Sequence, residues 1–227
     1  VSTFAGPAGP PAPAPGAPAT VVDWRPPPGP PGWLVGAGTT RGERALVAAA
    51  TVVGTALVVA AGSGAWRWWQ WALVVTVAID VVGGVAANAL STAKRQYHGP
   101  ATGHPGRTAR ALRHPVAFAA AHVHPFVLVL ALPGDGWAWA GTWYAACVAG
   151  SAAVHVAPLH LARPLAFAVL GTLLVAAPLV PAPAGLAWFG PLLACKLVAA
   201  HAVREEPYRP AGTSAAAPGA GQRRGPR

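Results

Sequence analysis

Acidic side chains are scarce in this sequence: six Asp and Glu stand against 16 Lys and Arg. Charge of either sign is sparse, at 10% of the chain, where soluble domains carry about 25%. That shortage excludes a water-soluble globular body and leaves lipid as the main solvent. There are two cysteines, Cys147 and Cys195, both inside apolar runs. They have no metal-ligand or redox spacing, which excludes a disulfide framework and a cysteine metal knuckle. No stripe of Lys and Arg with interleaved aromatics occurs, so the formal net charge of +10 does not mark a nucleic-acid partner. The cations sit in short loops between apolar runs, where anionic headgroups of membrane lipid are the expected partner.

Methionine is absent too, even at position 1. Val1 reads as an initiator from a GTG codon or as the start of a processed chain. The Ala, Gly, Pro and Arg bias fits a GC-rich bacterial genome. The expected location is therefore a bacterial cytoplasmic membrane, crossed several times.

Hydrophobic residues make up 54% of the chain and fall into runs near bilayer length. They predict an all-α polytopic bundle of about six transmembrane helices: 45–65, 69–92, 115–133, 137–157, 164–180 and 184–203. The last two are divided because Pro178, Pro181, Pro183 and Gly185 predict a turn. Residues 1–44 and 207–227 are rich in Pro, Ala and Gly and lack a signal-peptide pattern. They read as disordered tails flanking a 45–206 membrane domain. The loop 93–114 carries Lys94, Arg95, Arg107, Arg110 and Arg113. Placing it in the cytoplasm puts 14 of the 16 basic residues inside and predicts an N-in, C-in topology. Trp66, Trp68, Trp69, Trp71, Trp137, Trp139, Trp143 and Trp188 then line the outer interface.

Within this bundle the intramembrane polar residues are the candidates for chemistry. Asp80 is the only charge between Arg67 and Lys94. A carboxylate at mid-membrane costs several kcal/mol unless paired or protonated. At about 100° per residue, Asp80, Gly84 and Ser91 share a stripe and Asn88 lies beside it. His122 and His124 are two apart and on a straight helix would face away from each other. Pro125 predicts a distorted turn that aims both inward and leaves the Ala121 carbonyl unpaired. Lys196 either pairs with Asp80 or reaches toward headgroups. His201 lies about 140° from Lys196 on an α-helix and shares a face with Glu205. His155 extends the inner floor. His98, His104, His114 and His160 read as solvated.

The expectation is an intramembrane cavity in which Asp80, His122, His124, Lys196 and His201 carry acid–base chemistry. Asn88, Ser91 and His155 would bind a lipophilic substrate of lipid or isoprenoid type. No His-x-x-x-His spacing occurs, so no metal is assigned, and no motif selects a cofactor. Asp–His chains also serve proton-coupled transport, the first alternative. A non-catalytic membrane scaffold with partner-binding tails is the second.

Overall fold

The computed structural model describes residues 20–25, 35–62, 64–100 and 106–210. The architecture is helical, with one two-stranded ribbon among the described residues. Helix α1 (Arg41–Ala61) starts on a capping box. The Glu43 N–H donates to Thr40 Oγ1 at 3.2 Å, and the Thr40 N–H donates to the Glu43 carboxylate at 2.8 Å. Beyond Arg44 this helix carries no charge, and it buries only Val58 against the rest of the chain. It lies on α2 (Trp68–Ala89) through glycines. A Cβ on Gly54 would stand 2.3 Å from Val82, and one on Gly83 2.5 Å from the Thr51 hydroxyl.

After α2 the chain makes α3 (Ser91–His98), α4 (Arg107–Arg113), α5 (Pro115–Ala121), α6 (His124–Ala131), α7 (Trp137–Val156) and α8 (Leu159–Ala176). A 3-10 turn at Ala177–Leu179 extends α8. Helix α9 (Phe189–Ala194) then runs on as a π-helix, Cys195–His201. The expected turn between the last two spans is present, with Gly185 at φ +79°.

Among the described residues, three helical stretches are long and apolar enough to cross a membrane: Arg41–Ala61, Trp68–Ala89 and Leu159–Leu179. A fourth counts if Arg107–Arg113 and Pro115–Ala131, bent by 102°, are one broken span. The remaining helices of the six-span expectation differ for physical reasons. Helix α7 has 20 residues and one buried face, made by Trp139, Ala140, Trp143, Cys147, Gly150, Ser151 and Val154, with Ala138, Thr142, Ala145 and Ala149 exposed on the other. Its small and aromatic residues pack closely but make it less hydrophobic than an aliphatic span. The apolar Phe189–His201 helix is shorter than a full span.

The main apolar cluster has Val74, Val81, Leu128, Trp143, Phe189 and Leu193 among its buried members, and a smaller one gathers Val154, Ala162, Ala166 and Val198. Its tightest point is Gly190, where an added Cβ would stand 2.1 Å from the Trp143 indole.

Segments that carry the basic loop and the two tails meet at one end of the bundle. The Thr92 hydroxyl donates to the Val35 carbonyl at 2.8 Å. Strand β1 (Thr20–Val22) pairs antiparallel with β2 (Tyr208–Pro210), with Val21 opposite Arg209. The tails are therefore not wholly without structure: this ribbon uses residues from both. The Tyr208 N–H also donates to Ser91 Oγ at 3.2 Å, and Arg113 donates to the carbonyls of Gln96 and Gly99.

Candidate functional site

The site begins with a residue that has no side chain. Gly84 lies one turn along α2 from Asp80, and the Lys196 side chain passes over it. A Cβ at Gly84 would stand 2.5 Å from Lys196 Cε. Through this gap Lys196 Nζ reaches Asp80 Oδ2 and donates to it at 2.6 Å. Of the two destinations open to Lys196, the structure takes the pairing with Asp80. The two partners are unequally covered: the Lys196 side chain is 3% exposed and that of Asp80 42%.

The second wall comes from the break between α5 and α6. Residues 122 and 123 are not helical. The expected distortion before Pro125 is present, but the Ala121 carbonyl is not orphaned. It accepts the Val123 N–H at 3.0 Å. His122, at φ −83° and ψ 66°, is the centre of that three-residue turn, close to the inverse γ geometry. The turn brings two imidazoles together that a straight helix would separate, with ring centroids 5.3 Å apart. His124 Nε2 lies 3.6 Å from Asp80 Oδ2. His122 Nδ1 meets the Phe118 carbonyl at 2.7 Å. A carbonyl only accepts, so Nδ1 carries the proton and Nε2 keeps its lone pair. Ligand atoms of Asp80, His122 and His124 all lie within 4.8 Å of one another.

His201 stands apart from this group but is joined to it by ring contacts. It stacks on Phe118 at 3.7 Å and 14°, and Phe118 contacts His122 at 4.5 Å. Tyr97 meets the His201 ring edge-on at 4.8 Å. His201 is 1% exposed, and neither of its ring nitrogens has a hydrogen-bond partner among the described residues. The α-helical wheel separates Lys196 from His201, but this segment is a π-helix. Its i→i+5 hydrogen bonding places residue 201 close to residue 196 in rotation. The helix ends at His201, so Glu205 does not share its face. Glu205 pairs with Arg163 at 3.5 Å instead.

The remaining predicted residues divide. Asn88 is buried on α2, and its Nδ2 has no hydrogen-bond partner among the described residues. Ser91 holds the Tyr208 N–H at the basic end, and exposed His155 rests against His114 at 4.6 Å. Neither belongs to the Asp80 group. His104 lies outside the described residues.

Sequence reasoning missed Lys94 and His98. The sequence pattern puts both in a loop, whereas both lie on α3 and cap the last helix. Lys94 Nζ donates to the Ala200 and Val203 carbonyls at 2.5 and 2.7 Å. His98 Nε2 donates to the His201 carbonyl at 2.8 Å. Orphan carbonyls at a helix C-terminus attract such cationic donors. Burial pushes the Lys94 ammonium down to about 8, with Glu205 opposing. Burial likewise pushes His98 down to about 4, against the hydrogen bond to His201. Lys94 and Arg95 are both buried, so neither meets headgroups as expected; Arg107 and Arg110 remain exposed. The available signal was spacing: Lys94 and His98 are four apart and share one face of α3.

Comparison with known protein families, curated proteins and solved structures finds no match. The geometry of the site therefore carries the functional argument.

Proposed function

We propose that the chain is a multi-pass protein of a bacterial cytoplasmic membrane, with both ends inside and an acid–base centre for a lipophilic substrate. Asp80 is the acid or base. His124 shares its proton, His122 orients the substrate, and Lys196 sets the charge of the carboxylate. The substrate class is a lipid or isoprenoid. Exposed Arg107 and Arg110 face anionic headgroups on the inner side.

One observation carries this reading. Lys196 holds Asp80 from the buried side, while much of the carboxyl remains uncovered on the other. Exposed residues close to the group along the chain are Thr76, one turn before Asp80 on α2, and Val123 and Val127, on either side of His124. A carboxylate fixed from behind and open in front is arranged to meet a ligand, and an apolar rim selects a greasy one. In this reading the carboxyl is met laterally from the bilayer rather than within a closed cavity.

A test compares wild type with Asp80→Asn and His124→Gln in nanodiscs of bacterial lipid extract, reading the lipid fraction by mass spectrometry. Wild type should convert or retain a lipophile that both variants leave unchanged. Identical profiles from three folded proteins would overturn the proposal.

Proton transfer is the second reading. The rings of His124, His122, Phe118, His201 and His98 succeed one another from Asp80 to the basic end. Phe118 interrupts the series, so a relay needs water beside it. Proton uptake by proteoliposomes that disappears in His201→Phe would favour this reading over catalysis.

A further inference from the structure

We propose that Asp80, His122 and His124 form a binding site for a divalent transition-metal ion of the zinc or ferrous type, with Lys196 as its competing cation. This deepens the reading of the same site, because such an ion would supply Lewis acidity where Asp80 and the imidazoles meet. Its test is independent of any substrate.

Four observations support the assignment. First, the donor set is two imidazoles and one carboxylate, the composition of catalytic zinc and of non-haem iron sites. Their ligand atoms lie within 4.8 Å of one another before any ion is present. Second, His122 is prepared for ligation. Its Nδ1–H is spent on the Phe118 carbonyl, which fixes the tautomer and leaves Nε2 as the free donor. A ligating histidine nearly always has such an outer partner. Third, the carboxylate has capacity to spare. Lys196 and His124 both address Oδ2, so Oδ1 is outside these contacts. Fourth, the γ-turn at His122 is what brings the rings together.

Lys196 gives the site its selectivity. Its ammonium is 2.6 Å from Asp80 and already balances the carboxylate. An incoming dication must take over that balance, so only an ion that gains from imidazole nitrogen can compete. Magnesium and calcium, which prefer oxygen, gain nothing from the two histidines. Removing the ammonium should therefore strengthen binding, the reverse of what losing a supporting residue does.

The experiment uses the full chain in detergent micelles, stripped with a chelator and titrated with Zn²⁺ and then Co²⁺. Wild type should bind one equivalent, and Co²⁺ should give the visible absorption of a low-coordinate nitrogen and oxygen site. Asp80→Asn and His124→Gln remove direct ligands and should weaken binding by more than the roughly 10- to 100-fold that loss of an outer partner costs. Lys196→Met should tighten it by roughly tenfold or more. Tryptophan emission checks that each variant is folded. Where Lys196→Met does not fold, Lys196→Arg replaces it: the wider guanidinium should weaken Co²⁺ binding if the cation competes. Absence of saturable binding in wild type, or full binding by folded Asp80→Asn, would overturn the inference. Loss of the lipid effect with metal binding intact would instead sink only the substrate reading.

Discussion

Gly84→Ala tests whether the Asp80–Lys196 pair depends on a missing side chain. The new methyl would stand 2.5 Å from Lys196 Cε, 2.9 Å from Cδ and 3.1 Å from Nζ. Backbone of α2 is rigid and a lysine stem is not, so Lys196 should yield and its ammonium should leave Asp80. A hydrogen bond to a charged group contributes about 1.5–3 kcal/mol. Alanine in a helix regains about 1 kcal/mol over glycine. The variant should therefore lose about 0.5–2 kcal/mol. In an Asp80→Asn background the ammonium donates to a neutral oxygen, so less attraction is lost and the helix gain offsets more of it. Detergent unfolding followed by tryptophan emission gives all four corners of the cycle. A coupling of about 1 kcal/mol is expected. Equal costs of Gly84→Ala in both backgrounds would refute the argument, because the methyl would then be acting on packing alone.

Three further outcomes follow from the geometry. Gly190→Ala drives a methyl into the Trp143 indole, neither of which can swing clear, and should cost about 1–3 kcal/mol; Gly141→Ala, with nothing within 4 Å, should be neutral or stabilising in the same thermal melt. His98 is held down to about 4 in the fold against 6.5 outside it, so the unfolded chain binds the proton first and stability falls as pH drops from about 6.5 toward 4. His98's share of that loss should be about 3 kcal/mol, and His98→Phe should lose stability by that much less in melts across the range, with the wild-type imidazole resonance titrating near the lower value. Lys94→Met removes two bonds to the Ala200 and Val203 carbonyls and should cost about 1–3 kcal/mol; in wild type, stability should rise between pH 8 and 10.5, where the unfolded chain alone is still protonated, and Lys94→Met should lack that rise.

Much of the site was legible because its signals are local or rare. A lone acid and a lone lysine in apolar helices have few other partners, and Asp80 and Lys196 do pair. Pro125 announced the break that gathers His122 and His124. The turns around Pro178 and Gly185 announced the division of α8 from α9. What could not be read depends on tertiary placement. A lysine facing headgroups and one buried against carbonyls look alike in sequence, so Lys94 was misplaced. Nothing in Cys195–His201 marks π winding, so the relation of Lys196 to His201 was drawn on the wrong wheel. Ligand atoms contributed by different segments leave no spacing to recognise, and the Asp80, His122 and His124 triad is of that kind. The ribbon between Thr20–Val22 and Tyr208–Pro210 joins residues far apart in the chain, and no short-range pattern announces it.

The π-helix at Cys195–His201 has a consequence for how this protein tolerates change in length. Wider winding accommodates an additional residue without lengthening the path between the two ends. Deleting one alanine there would let the segment relax to ordinary α winding. Four residues of α winding and five of π winding both make about one full turn, so Lys196 and His201 would hold nearly the same relative phase. His201 would keep Phe118 and Lys196 would keep Asp80. The same deletion from an ordinary α segment would instead rotate everything beyond it by about 100°. The wider winding thus makes this helix tolerant of losing one residue.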